Sequence, residues 1–202
     1  MLRTIREDVA AVLHNDPAAR SVLEAVLCHT PLHAILVHRL AHWLYLRRLR
    51  LVARLLSSLA RLFTGVEIHP GAQIGRRFFI DHGTGVVVGE TAEIGDDCVM
   101  FHGVTLGGTG KQLGKRHPSV GNGVLMGTGA TLLGPIRVGS NVKIGALSFV
   151  RMRDVPDDVT VVGAPARIVK ERGVRVDKEL SATVLSGDTI PVEQRTASPS
   201  SA

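Results

Sequence analysis

The sequence predicts a mainly β protein, a parallel β-helix of hexapeptide repeats preceded by an α-helical N-terminal part. From position 68 onwards aliphatic residues recur every six residues, a period that neither an α-helix nor an ordinary strand produces. Gly follows nine of the sixteen anchors of this series. Before position 66 the apolar residues recur at helical spacing instead. We therefore predict a helical domain at 1–65, a β-helix at 66–170 with an extended loop at 107–118, and a tail at 171–202 that is disordered towards its end.

Start and stop signals mark the helices of the N-terminal part. Asp16-Pro17 and Thr30-Pro31 each pair an N-cap residue with a proline at the first helical position, so each predicts a helix start. Gly65 predicts the end of the last helix, because glycine adopts the left-handed conformation that closes many helices.

The hexapeptide series sets the shape of the second part. Its anchors are Ile68, Ile74, Ile80, Val88, Ile94, Met100, Leu106, Val120, Met126, Leu132, Val138, Ile144, Val150, Pro156, Val162 and Ile168. Roughly 100 residues at about 18 per coil predict five to six triangular coils with the anchors stacked inside. The series is interrupted at 82–88 and 106–120. Insertions in a solenoid map to loops on one face, often the binding face.

Composition excludes several classes of protein. The net charge of the 202 residues is +6, but aromatic residues are only 3% and do not alternate with basic ones, so we expect no nucleic acid. Three arginines interrupt the apolar stretch 49–63, which predicts a packed helix with a solvated face and no membrane span. Cys28 and Cys98 lack metal-ligand spacing, so we predict two buried thiols and a cytoplasmic location, since the N-terminus shows no signal peptide.

The loop GGTGKQLGKRHP at 107–118 contains glycines and lysines, but it is not a nucleotide-cleaving phosphate loop. That motif requires a Gly where Thr105 or Thr109 stands, and Ser or Thr where Gln112 or Arg116 stands. The hexapeptide series, not a helix, follows it. Two other motifs, Asp81-His82 and Arg116-His117, lie in the interruptions of the series, which favours a functional role for both histidines.

Several long motifs occur in order and resemble those of the serine O-acetyltransferase family. They are Val66-Glu67-Ile68-His69-Pro70, the run from Ile80 to Thr91 (IDHGTGVVVGET), the run from Gly103 to Lys111 (GVTLGGTGK), Lys115-Arg116-His117-Pro118 and Gly163-Ala164-Pro165-Ala166-Arg167. The match covers about residues 8–170. It implies that the β-helix is left-handed and that the protein transfers acetyl from acetyl-CoA to the L-serine hydroxyl, towards cysteine.

The resemblance also implies roles for single residues. His82 is the implied general base, with Glu67, where the family usually has Asp, orienting it. Asp16 and Asp81 are expected to bind the serine ammonium, Arg116 its carboxylate, and His117 is expected to face the serine. The implied contacts to acetyl-CoA are Gly108, Thr109, Lys111, Thr128 and Ala146. No metal is expected.

In this family the site lies between neighbouring subunits, so we predict a homotrimer, with a dimer of trimers left open. L-Cysteine is the implied feedback inhibitor. Many members end in an isoleucine that docks into cysteine synthase, and the ending Ser200-Ser201-Ala202 argues against that docking. Two alternatives stay open: a hexapeptide acetyltransferase for another hydroxyl acceptor, and a β-helical metalloenzyme that uses His82, His102 and His117.

Overall fold

The computed structural model describes residues 2–110 and 113–183. In this part of the chain four α-helices come first: α1 (Leu2–Asn15), α2 (Val22–Cys28), α3 (Thr30–Leu46) and α4 (Arg50–Thr64). The strands that follow are β1 (Glu67–Ile68), β2 (Gln73–Ile74), β3 (Phe79–Ile80), β4 (Val87–Val88), β5 (Glu93–Ile94), β6 (Val99–Met100), β7 (Thr105–Gly107), β8 (Ser119–Val120), β9 (Leu125–Met126), β10 (Thr131–Leu133), β11 (Arg137–Val138), β12 (Lys143–Ile144), β13 (Phe149–Arg151), β14 (Arg153–Asp154), β15 (Val159–Val162), β16 (Arg167–Glu171), β17 (Val174–Glu179) and β18 (Ser181–Ala182).

The helix α4 ends as its sequence predicts, but α2 does not begin at Asp16. Gly65 has a φ of 71° and closes α4 in the left-handed conformation. Asp16 instead follows the last residue of α1, and its carboxylate accepts the N–H of Ala18 at 2.8 Å. This local bond stabilises a turn, so the Asp-Pro pair ends one helix rather than starting the next. The hydroxyl of Ser21 caps α2.

The strands form the predicted parallel β-helix. Sheet A consists of β1, β4, β7, β10 and β13, sheet B of β2, β5, β8 and β11, and sheet C of β3, β6, β9, β12 and β15. Neighbouring strands within each of these sheets pair in parallel. Each coil contributes one strand to each sheet in turn, and five strands in sheet A correspond to five coils.

The hexapeptide anchors build the core of the β-helix. Side chains such as Met100, Met126 and Ile144 are fully buried along its axis. Small residues four positions after an anchor, among them Ala72 and Ala92, are also fully buried and leave room for the stacked anchors.

The predicted phase of the series is wrong at Pro156 and Val162, although the last predicted anchor, Ile168, is buried as expected. Val155 and Val161 are buried, whereas the predicted anchors Pro156 and Val162 are exposed. The strand β14 lies between Val150 and Val155 and pairs antiparallel with β18, so this part of the chain leaves the regular coil and returns one residue early. The valine at 155 then bridges to Val138 of sheet B.

The first residues of the predicted tail are strands. Antiparallel pairing adds β16 and β17 to the edge of sheet C, and the predicted boundary at 170 falls inside β16. The rest of the tail, 184–202, lies outside the described residues.

The two cysteines differ in burial. Cys98 is buried, which raises the pKa of its thiol to about 11, but Cys28 is exposed at the end of the short helix α2, contrary to the prediction. Within residues 2–110 and 113–183 we find no helix long and apolar enough to cross a bilayer.

Candidate active site

Two corners of the triangular β-helix carry the residues that the sequence indicates. The histidine corner, between sheets C and A, consists of residues 81–86, 101–104, 127–130 and 145–148. The loop corner, between sheets A and B, consists of residues 89–92, 108–110, 113–118 and 134–136. The two corners therefore border sheet A from opposite sides.

One column of residues runs along the histidine corner. The strand register aligns Ile80, Met100, Met126 and Ile144. The residues two positions later therefore stack one per coil, in the order His82, His102, Thr128 and Ala146. Backbone bonds hold the stack, since the carbonyl of His102 accepts the N–H of Gly129 at 2.9 Å and that of Thr128 accepts the N–H of Leu147 at 2.8 Å.

His82 occupies a strained and accessible position in this column. Its φ is +59°, a conformation that a residue other than glycine rarely adopts outside functional sites and tight turns. Its side chain is 76% exposed in the single chain, and its ring packs edge-on against His102 with 5.8 Å between the centroids. The imidazole is thus free to reach a substrate.

A cleft of about 680 Å³ brings His82 together with two predicted carboxylates. Asp16 lines it from the turn after α1, and Asp81 lines it from the end of β3. His29 lines the same cleft, and burial lowers the pKa of its imidazole although the charges of both acids oppose the shift. The cleft thus places the three residues Asp16, Asp81 and His82 around one space, and the roles that the resemblance implies for them stay predictions.

Glu67 is not part of this cleft in the single chain. It lies on β1 in sheet A, where its carboxylate forms an ion pair with Arg61 of α4 at 2.8 Å. Among the described residues no hydrogen bond joins it to His82. Its predicted role in orienting His82 stays a prediction.

His117 lies on the loop corner and is held by Thr91. Its Nδ1 accepts the Thr91 N–H at 3.1 Å, so the neutral ring carries its proton on Nε2. The Thr91 hydroxyl oxygen also accepts the backbone N–H of His117 at 3.1 Å. The side chain is buried, and burial together with the charge of Arg116 lowers the pKa of the imidazole. At neutral pH His117 can therefore donate a hydrogen bond from Nε2.

Arg116 is anchored on the same corner. Its backbone N–H donates to the Thr91 hydroxyl at 3.0 Å, and its guanidinium forms an ion pair with Glu90 at 2.5 Å. Tyr45 of α3 donates its hydroxyl to the same carboxylate at 2.8 Å. These contacts hold the pKa of Glu90 at about 2, so its carboxylate is ionised.

The residues predicted to bind acetyl-CoA divide between the two corners. On the loop corner, a side chain added at Gly108 would lie 3.4 Å from the Arg116 carbonyl, and the methyl group of Thr109 lies next to Gly134. Thr128 and Ala146 belong to the column of the histidine corner. Lys111 lies outside the described residues. Within a single chain the structure does not bring these two groups of residues together, and their contacts to acetyl-CoA stay predictions.

No role was predicted for Glu90 and Thr91, which contact Arg116 and His117 on the loop corner, although both stand in the motif run that ends at Thr91. His102, which stacks on His82, was predicted only as a ligand in the metalloenzyme alternative. The hexapeptide register was the available signal. Glu90 follows the anchor Val88 on one coil and Arg116 precedes the anchor Val120 on the next coil, so the register places both at the same corner. Tyr45 gave no such signal, since it lies on a helix.

The metalloenzyme alternative requires three histidines in one place. His82 and His102 are adjacent, but His117 lies on the other corner. In the described part of the chain no group of three or more His, Cys, Asp or Glu side chains is placed to hold a metal ion.

Comparison with known proteins identifies the family, although no protein-family model matches the chain. The sequence is 57% identical over 177 residues to the serine acetyltransferase of Synechococcus elongatus, covering 88% of this chain and 72% of the relative. It is 56% identical over 179 residues to the serine acetyltransferase of Bacillus subtilis, covering 89% of this chain and 82% of the relative.

Solved structures agree with the sequence comparison. A serine acetyltransferase of Brucella abortus in complex with coenzyme A superposes with a TM-score of 0.81 at 48% identity, covering 84% of this chain and 68% of that one. The Neisseria gonorrhoeae enzyme in complex with serine gives 0.80 at 43%, covering 84% and 69%. A serine acetyltransferase in complex with cysteine gives 0.81 at 42%, covering 84% and 66%. The chain belongs to the serine acetyltransferase family.

Proposed function

We propose that the protein transfers the acetyl group of acetyl-CoA to the hydroxyl of L-serine, giving O-acetyl-L-serine and CoA in cysteine biosynthesis. The observation that carries the proposal is the cleft in which Asp16 and Asp81 face the same space as His82. The relatives solved with serine and with coenzyme A support the choice of the two substrates.

His82 acts as the general base in this proposal. As the serine hydroxyl oxygen attacks the thioester carbonyl, its proton passes to the imidazole. The carbon–sulfur bond then breaks, the acetyl group stays on the serine oxygen, and the proton goes to the departing CoA thiolate. A positioned general base contributes typically about 10²- to 10⁴-fold to the rate.

The remaining residues bind and orient the amino acid. The carboxylates of Asp16 and Asp81 attract the serine ammonium, and the guanidinium of Arg116 recognises its carboxylate. His117, fixed as the Nε2–H tautomer, donates a hydrogen bond to the serine. The glycines near Gly108 leave the backbone open to the CoA chain, which Thr109, Thr128 and Ala146 also contact.

The complete site forms between two chains of a homotrimer. Sheet A supports this arrangement, because its outward residues are mostly apolar or small and are half-buried: Val87, Thr105, Thr131, Leu133 and Phe149. The outward residues of sheet B include Gln73, Glu93 and Arg137, which are exposed. Because sheet A is bordered by the two corners, packing three copies through sheet A brings the histidine corner of one chain towards the loop corner of the next.

The helix α4 extends this surface. It contacts β1 of sheet A through Ser57, whose hydroxyl donates to the Ile68 carbonyl, and through the Arg61–Glu67 ion pair. Leucines on its free side are exposed in the single chain, with Leu51 at 73% and Leu62 at 76%. A dimer of trimers remains the alternative assembly.

L-Cysteine is the proposed feedback inhibitor, because it carries the ammonium and carboxylate groups of L-serine with a thiol in place of the hydroxyl. The relative solved with cysteine supports this. We place the reaction in the cytoplasm, in keeping with the two free cysteines. The segment that would dock into cysteine synthase falls within 184–202, outside the described residues.

The test is thiol release from acetyl-CoA with a panel of hydroxyl acceptors: L-serine, homoserine and sugars. We expect L-serine to give the highest kcat/KM. The His82→Ala variant should lose about 10²- to 10⁴-fold in kcat, and the matched control His14→Ala, an exposed histidine on α1, should retain wild-type activity. Equal or faster turnover of an acceptor that is not an amino acid would refute the proposal and favour another hydroxyl acceptor.

A further inference from the structure

The guanidinium of Arg116 is fixed by a chain of polar contacts that begins in the helical part of the protein. Tyr45 of α3 donates its hydroxyl to Oε1 of Glu90 at 2.8 Å. The other carboxylate oxygen, Oε2, accepts from Nη2 of Arg116 at 2.5 Å. Both oxygens of Glu90 are therefore engaged, one by the helix and one by the arginine.

The tyrosine is itself held in place. Its ring packs edge-on against His69 with 5.8 Å between the centroids, and the guanidinium of Arg50 lies 5.6 Å from its centre on the ring face. One turn earlier on α3, Nδ1 of His42 lies 2.8 Å from the Pro70 carbonyl, within hydrogen-bond distance. The hydroxyl therefore meets Glu90 from a helix that is anchored on the β-helix.

These contacts leave part of the guanidinium free for a ligand. An arginine has five N–H donors in a fixed planar fork. Glu90 takes one donor, and the Gly114 carbonyl accepts a second from Nη1 at 3.3 Å. Three donors remain, which is enough for a bidentate contact with a carboxylate.

We propose that Glu90 and Tyr45 are positioning residues that aim the Arg116 guanidinium at the carboxylate of the amino-acid acceptor, and so set the selectivity for acceptors that carry this group. The inference rests on the proposed function, because it assigns Arg116 to the serine carboxylate. Neither residue touches the substrate. The low pKa of Glu90 supports the proposal, since the carboxylate that holds the arginine stays charged throughout the working pH range.

The experiment compares L-serine with L-serinamide, which keeps the ammonium and hydroxyl groups but replaces the carboxylate by a neutral amide. We expect Glu90→Gln to lower kcat/KM for L-serine roughly 10- to 50-fold, mainly through KM, because one charge-assisted hydrogen bond is lost. Tyr45→Phe should lower it less, about 3- to 5-fold, because the lost hydrogen bond supports Glu90 and reaches Arg116 only through it. With L-serinamide both variants should stay within about twofold of the wild type, and the KM for acetyl-CoA should not change.

Glu93→Gln is the matched control. Its carboxylate also forms an ion pair beside the loop corner, with Lys115 at 3.1 Å, but does not contact Arg116. This variant should keep the wild-type preference for L-serine. Melting temperatures identify any variant that loses its fold, and Tyr45→Phe, which removes only one hydroxyl, keeps the test open if Glu90→Gln unfolds.

Two results separate the possible failures. Equal losses with L-serine and L-serinamide in Glu90→Gln and Tyr45→Phe would mean that the two residues serve only the fold, and would overturn the inference while leaving the proposed function intact. A wild-type enzyme that acetylates L-serinamide as well as L-serine would refute the role of Arg116 in binding the carboxylate, and with it the inference, while acetyl transfer to L-serine itself would stand.

Discussion

Gly89 stands against the face of His117, and a single methyl group there should displace the imidazole. A Cβ added at this glycine would lie 2.1 Å from Cδ2 and 2.2 Å from Nε2 of the ring. Ordinary carbon–carbon contact begins near 3.5 Å, so the ring of Gly89→Ala must move by about 1.4 Å. The backbone of Gly89 has no positive φ, so the effect of the substitution is steric.

The size of the effect follows from this displacement. A misplacement of about 1 Å at a binding group can cost about 10²-fold in rate, so we expect kcat/KM for L-serine to fall by about that factor. Overpacking costs about 1–3 kcal/mol, which corresponds to a drop of about 2–12 °C in Tm for a chain of this size. The KM for acetyl-CoA should change little.

Steady-state kinetics with L-serine and thermal unfolding of the same samples provide the measurement. Gly121→Ala is the control, because its added Cβ meets Gly139 and Ser140 at 2.8 Å on the corner that carries no candidate site residue. It should lower Tm without lowering kcat/KM. If Gly89→Ala kept kcat/KM within twofold of the wild type, the placement of His117 at the serine would be refuted.

Two further predictions concern stability. Burial lowers the pKa of His38 to about 3, with Arg39, His42 and His69 adding to the effect, against about 6.5 in the unfolded chain. Because protonation then favours the unfolded state, His38 should lower the free energy of unfolding of the wild type by about 1.4 kcal/mol for each pH unit below 6.5. Denaturant titrations at pH 7.5 and pH 5 should therefore show that His38→Leu loses about 2 kcal/mol less than the wild type between these pH values. Equal losses in both proteins would contradict this prediction. The fully buried carboxylate of Asp8 accepts from Arg39 at 3.1 Å, so Arg39→Met should leave a buried charge unpaired and destabilise the fold by about 3–5 kcal/mol. Arg3 is the control, because its side chain is 82% exposed, and Arg3→Met should change the free energy of unfolding by less than about 0.5 kcal/mol. Similar urea midpoints for both arginine variants would show that the buried pair does not stabilise the fold.

The fold was predictable from the sequence because the hexapeptide period is a local signal. Each anchor from Ile68 to Val150 reports its own place in a coil, and all of them except the half-buried Ile74 are buried. The shift at Val155 was not predictable, because it depends on β14 pairing with a strand near position 181. Asp16-Pro17 was ambiguous for a different reason, since the same pair that starts a helix can also form the turn after one.

The candidate site was predictable only in part. The cleft around Asp16, Asp81 and His82 forms within one chain, and the family resemblance had already implied that these three residues belong together. The partners of Arg116 were missed because Glu90 is 26 residues away in sequence and Tyr45 comes from another element. In the proposed trimer the two corners meet through the neighbouring chain, which no pattern in one sequence describes.

Subunit mixing tests most directly the central claim that each site combines the histidine corner of one chain with the loop corner of the next. The variants His82→Ala and Arg116→Ala should each be nearly inactive alone. After subunit exchange at equal concentrations, verified by native mass spectrometry, random trimers should recover about a quarter of the wild-type sites, since one neighbour then supplies an intact histidine and the other an intact arginine. Exchange without any recovery above the sum of the two variants would contradict the account, because it would place the whole site within one chain.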